Sequence, residues 1–137
     1  MLRRLGINVD CVVSDWGMLV QRRSSKAAPE AGGWNMFHTT WYGLDLVNPG
    51  VSQMLRTSGG QTYFGWPDVP EVDALRNAWI DASEPAEQLR LAREIQAAAL
   101  KHAVYIPTGQ YFNQTAWTTR LADVPDGLHV FWGARFA

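Results

Sequence analysis

The sequence predicts an α/β fold with a thin, incomplete sheet. Three observations carry this expectation. Apolar runs rich in β-branched and aromatic residues at 7–13 and 34–41 read as strands. Two amphipathic stretches at 70–82 and 84–102 read as consecutive helices. A further run, 103–112, reads as a third strand, so strands and helices alternate along the chain. With 137 residues, the chain is long enough for one domain. Three strands are few for a sequence that is 47% apolar and holds seven tryptophans, and this mismatch points to structure beyond the chain.

Leu2-Arg3-Arg4-Leu5-Gly6, after Met1, reads as the last turn of a helix, with cations where the dipole favours them and a glycine stop. It carries the arginines of a leader peptide but no apolar stretch or cleavage site after them. Strand 7–13 follows and places Cys11 in an apolar interior as an inert core residue. Asp15 caps a helix over 16–25. Residues 27–33, with Pro29 and Gly32-Gly33, form a surface loop. Strand 34–41 leads into 42–70, where periodicity breaks down; Asn48-Pro49 opens a short helix through Leu55, and Ser58-Gly59-Gly60 closes it. An irregular stretch of that length is usually functional. Asp68-Val69-Pro70-Glu71 is a capping-box-like start for the first long helix. Ser83 and Pro85 open the second, with Leu89, Ala92, Ile95 and Ala99 on one stripe. Pro107 places the third strand at an edge or irregular point. The tail holds turn signals at Pro125 and Asp126-Gly127, and aromatics Phe131, Trp132 and Phe136 without evident partners.

Twelve basic and thirteen acidic side chains give a net charge of -1, without the basic surplus that nucleic-acid binding needs or a polybasic run for anionic lipid. No apolar stretch is long enough to span a membrane. One cysteine excludes an internal disulfide. His38, His102 and His129 show no ligand spacing, so no metal and no cofactor is expected. No nucleophile elbow, phosphate loop or dinucleotide fingerprint is present, which argues against an enzyme. Asn113-Gln114-Thr115 fits a glycosylation sequon, a short match of little weight.

The chemistry concentrates in Trp41-Tyr42-Gly43-Leu44-Asp45-Leu46-Val47-Asn48-Pro49. Two aromatics at a strand end, followed by one carboxylate, suit an ammonium group: the ring faces attract the cation and the carboxylate accepts a charge-assisted hydrogen bond. Spacing alone favours a second reading, in which Asp45 caps a turn and the aromatics fill core.

The runs Leu2–Asp10, Asp15-Trp16-Gly17 and Gln21-Arg22-Arg23 resemble the C-terminal lobe of extracytoplasmic solute-binding proteins of family 5, the dipeptide/oligopeptide/nickel-binding type that serves ABC importers. The 41–49 segment is similar to that family's W-x-x-D-x-x-D-P region, and 103–111 to its strand before the chain crosses lobes. The resemblance covers essentially the whole chain, and the order and spacing of the motifs carry it. It implies the C-terminal portion of a type II periplasmic-binding-protein-like fold, about the last quarter of such a protein. Residues 1–112 would belong to the second lobe and 113–137 would return across a hinge at Gln110, Tyr111 and Phe112.

By the same resemblance Asp45 would hold a peptide's α-ammonium. Trp41 stands four residues before Asp45 instead of three, so Tyr42 can fill the aromatic place, and Asn48 replaces the family's second acid. The implied function is capture of peptides or related small solutes in an interlobe cleft for delivery to a membrane permease. The alternative is a sugar-oligomer, opine or metal-chelate receptor on the same scaffold, with tryptophans stacking on the ligand. The implied location is periplasmic, or lipid-anchored outside the membrane. Trp16, Trp34 and Trp79 are expected in core, Trp132 at an interface with absent chain, and the isolated chain is expected to bind ligand weakly and to self-associate through its open edge.

Overall fold

Prolines start both long helices. Helix α2 (Pro70–Asp81) and helix α3 (Pro85–Lys101) each carry proline at the first helical position, where no partner is needed for its missing N–H and its fixed φ suits the turn. These helices are numbered after α1 (Trp16–Arg23) in a computed structural model that describes all residues except Met1, Gln61, Leu128 and His129. The reading of His129 therefore lies outside the described residues. The chain forms two compact units, Met1–Ile106 and Pro107–Ala137.

In the first unit, the long helices pack along a stripe of Leu91, Ile95, Ala98 and Ala99 on α3, spaced i, i+4, i+7 and i+8 as one helix face requires. Val72 of α2, wholly buried, and Leu55 complete the core, with Leu75, Trp79, Val104 and Tyr105 packed around it. Trp79 thus takes the core place expected of it. Leu89, expected on the stripe, is exposed; it lies roughly 120° around the helix from Ile95, so a face centred on Ile95 turns Leu89 to solvent.

Neither long helix starts with a side-chain cap. The cap residue of α2 is Val69, in place of the expected Asp68. Asp68 instead faces Ser58 across an isolated antiparallel bridge, so the capping box does not form. At its other end, α3 closes with a double backbone clasp: Val104 N–H donates to Ala99 O (3.0 Å) and Ala103 N–H to Leu100 O (3.2 Å). Ala103 takes the left-handed conformation usual for glycine there, φ 48°. The clasp turns Val104 back onto the core.

The same clasp ends the 3-10 turn Leu2–Leu5, where Ile7 N–H donates to Leu2 O and Gly6 N–H to Arg3 O. Gly6 has φ 77°, which bears out the glycine stop. Asp15 caps α1 as expected, its carboxylate accepting from Met18 N–H at 2.9 Å. After α1, the chain doubles back through a 3-10 turn at Pro29–Ala31, and buried Gly33 approaches so closely that a Cβ there would meet Ala27 O at 1.8 Å. Arg22 donates to Gly33 O and Trp34 Nε1 to Arg23 O, fastening the loop to the helix.

The three predicted strands are not formed. Runs 7–13, 34–41 and 103–112 pair with no neighbouring strand among the described residues. A ladder needs a second chain segment alongside to satisfy its N–H and C=O groups, and these runs have none. Cys11 is accordingly exposed, not a core residue. The second unit holds the sheet found here, β1 (Leu121–Ala122) antiparallel to β2 (Arg135–Phe136), with Leu121 opposite Phe136. Arg135 pairs with Asp123 at 2.7 Å, and Arg120 lies over the Phe136 ring at 5.7 Å. Two residues per strand are too few for a periodic signal, and the sequence alone does not mark them.

A surface ion cluster links the two long helices: Glu71, in the first turn of α2, accepts from His102 Nε2 at 2.8 Å and lies 3.4 Å from Lys101 Nζ. The hydrogen bond from His102, with Lys101 beside it, holds the Glu71 carboxyl below the usual carboxylate range. A depressed folded pKa gives stabilisation that is present above the ordinary carboxylate range and lost as pH falls through the folded value. Thermal unfolding should therefore separate Glu71→Gln from the unaltered chain at neutral pH, and the difference should shrink as pH falls below the ordinary carboxylate range. In the core, Ile95→Ala should lower unfolding free energy by about 2–4 kcal/mol in urea titration.

Candidate functional site

The irregular stretch between strand-like run 34–41 and α2 is positioned by hydrogen bonds to α2. Arg76 donates to Pro49 O (3.0 Å) and Gly50 O (2.8 Å). Asp73 accepts from Thr57 N–H, while the Thr57 hydroxyl donates to Val69 O. Asn48 folds its side chain back to accept from Gly50 and Val51 N–H, the turn-forming role expected of it. The anticipated short helix at 49–55 is reduced to a 3-10 turn, Gln53–Leu55.

Held in this way, the stretch walls a cleft of about 510 Å³. Trp41, Tyr42 and Asp45 all line it. Asp45 sits in a 3-10 turn, Gly43–Leu46, whose start has no side-chain cap. Its carboxylate has no hydrogen bond or ion pair among the described residues, so the turn-capping alternative for Asp45 is not what the geometry shows. Gln110, Tyr111 and Phe112 lie in the second unit and are exposed, Phe112 almost completely.

The cleft is also lined by residues that the sequence does not single out. Tyr63 and Phe64 stand on the loop before α2, with ring centroids 5.1 Å apart, and Trp41 packs against Tyr63 at 5.4 Å. Arg23, the last residue of α1, reaches into this group: its guanidinium lies 4.4 Å from the Phe64 centroid, 5.4 Å from Trp16 and 5.8 Å from Tyr63. It also donates to the Tyr63 hydroxyl at 3.1 Å. Trp16, expected in core, is more than half exposed and belongs to this wall. The only signal in the sequence was the loss of periodicity across 42–70; nothing in the spacing of Arg23 ties it to residues some forty positions on.

The cleft lining combines the unpaired Asp45 carboxylate and the Trp41 and Tyr42 side chains with an arginine held among aromatic faces. It supplies binding groups for a small polar solute. Among the described residues no group of histidine, cysteine or acidic side chains is placed to hold a metal, and no helix is long and apolar enough to cross a membrane.

No protein-family profile matches the chain. In an alignment of 137 positions that covers 99% of the chain, it is 32% identical to a curated protein of Sinorhizobium fredii named as a probable peptide ABC transporter periplasmic-binding protein. The chain spans about a quarter, 26%, of that relative. This relationship bears out the resemblance to solute-binding proteins read from the sequence motifs. Helices with a small sheet are compatible with part of such a fold.

Arg23→Ala should release the aromatic wall. The expected result is a changed near-ultraviolet circular dichroism spectrum from Trp16, Tyr63 and Phe64, with a loss of about 1–2 kcal/mol of stability.

Proposed function

We propose that this chain, a relative over its whole length of the binding proteins of peptide ABC transporters, supplies one wall of a receptor cleft for peptides. In this reading the receptor works outside the cytoplasmic membrane and hands its ligand to a membrane permease. The observation that carries it is the lone Asp45 carboxylate, unpaired, in one cleft with Trp41 and Tyr42. A carboxylate left without an internal partner is free to accept from a ligand ammonium, and the neighbouring ring faces favour the same charge.

The finer assignments are part of the proposal. Trp41 and Tyr42 flank the amine, Asp45 sets its register, and 113–137 belongs to a return toward a first lobe, with Gln110, Tyr111 and Phe112 at the hinge. Closure by hinge motion would bury the ion pair and strengthen it. Asn48 in place of a second acid leaves a single carboxylate for a single amine.

Calorimetry on the protein purified from its host tests this. Short peptides with a free amine should bind, N-acetylation should weaken them, and Asp45→Asn should cost about 2–5 kcal/mol. Unchanged affinity after both changes would remove Asp45 from the site.

A further inference from the structure

An arginine of the chain itself occupies the place best suited to a ligand cation. The Arg23 guanidinium lies 4.4 Å from the Phe64 ring centroid, 5.4 Å from Trp16 and 5.8 Å from Tyr63. Each distance is within the roughly 6 Å over which a ring face attracts a cation. All four residues line the cleft. The Tyr63 hydroxyl accepts from Arg23 at 3.1 Å, and no carboxylate pairs with Arg23 among the described residues. Its Nε is buried without a hydrogen-bond partner, which is costly. Ring faces and one hydroxyl are therefore what compensates this charge.

The cage is assembled from well-supported parts. Trp16 and Arg23 are the first and last residues of α1, and a spacing of seven returns them to one face of the helix. The end that carries Arg23 is pinned by Trp34 Nε1 donating to Arg23 O at 3.2 Å and Arg22 donating to Gly33 O at 2.9 Å. Tyr63 and Phe64 come from a loop closed at its base, where Gly59 N–H donates to Pro67 O and Val69 N–H to Thr57 O. None of these bonds involves the Arg23 guanidinium, so a cage emptied of it keeps its backbone frame.

We infer that Trp16, Tyr63 and Phe64 form a cation cage that the chain fills itself, and that Arg23, its resident cation, denies that cage to the lysyl and arginyl side chains of a ligand. The denial of ligand side chains rests on reading the cleft as a peptide site. The charged residues of the lining are Asp45, Arg23 and Arg56. With a peptide's α-amine at Asp45, a further ligand cation meets like charges and rings already occupied. Arg23 is thus a specificity-determining residue: it makes the cleft indifferent to cationic side chains that its aromatic lining would otherwise prefer.

Two measurements test this. In the first, Arg23→Ala is titrated with methylguanidinium and with its neutral isostere methylurea, and near-ultraviolet circular dichroism is followed. Methylguanidinium should return the spectrum toward that of the unaltered chain, and methylurea should not. Equal responses to the two overturn the cage. The second is calorimetry on the protein purified from its host, with trialanine in which norleucine, lysine or arginine replaces each position in turn. The unaltered protein should bind the cationic peptides no more tightly than the norleucyl ones. Arg23→Ala should favour the cationic peptides by roughly 3- to 30-fold at one position. A cationic preference of that size in the unaltered protein overturns the proposal, however the variant folds, and so does the absence of a gain at every position in Arg23→Ala when the peptides bind. If methylguanidinium restores the spectrum and no peptide binds either protein, the self-filled cage stands and the peptide reading of the cleft falls.

Discussion

The core that α2 and α3 share, in which Val72 and Ile95 are each essentially inaccessible to water, is the constraint on which the first unit depends. From the stretch between Tyr42 and α2, Leu55 joins this core and Val69 packs against it. Polar bonds through Arg76 and Asp73 tie part of that stretch to α2, and aromatic packing with Trp41 and Arg23 holds Tyr63 and Phe64. Loss of the helix pair would therefore remove the reason for the cleft to exist, because the residues that shape it borrow their order from helices that do not line it. A buried threonine with all its bonds satisfied is unusual as a fastener, since each bond contributes little net energy but leaving one unmade is costly. Thr57 specifies the position of the stretch more than it adds to its stability.

Electrostatics within the cleft follow from which charges are already occupied. The ring faces of Trp16, Tyr63 and Phe64 carry Arg23, so a ligand cation has no claim on them. The other charged residues that line the cleft are Asp45 and the exposed Arg56. A site that fills one aromatic cage with its own arginine spends no ligand selectivity there, and directs it to the unoccupied charges.

Much of the helical structure was legible in the sequence because its determinants are local: proline at the start of α2 and α3, Asp15 before α1, glycine after Leu5. Periodicity placed α3 correctly but not its buried face, since Leu89 and Leu91 fit the pattern about equally well and only the partner helix chooses between them. The strands were not legible, because β-branched runs at 7–13 and 103–112 report a tendency to extend, whereas a strand exists only with a neighbour to bond. Cys11 and Trp16 were misplaced for that same reason: burial was assumed from apolar company. In the cleft, Trp41, Tyr42 and Asp45 lie close in sequence and could be read together. Arg23, Arg56, Tyr63 and Phe64 could not, because long-range packing brings them to one place.

The loop that carries Tyr63 and Phe64 has its two ends tied to each other. Gly59 N–H donates to Pro67 O, Ser58 faces Asp68, and Val69 N–H donates to Thr57 O, so the chain leaves and re-enters at nearly one point. Such a loop is a cassette. Its tip can be rewritten without disturbing the base, because loop closure has been settled by backbone bonds that any sequence can make. Chains of this build can vary the chemistry of the cleft lining by exchanging the residues inside that clasp, while the helix pair, and the order it lends, stays unchanged.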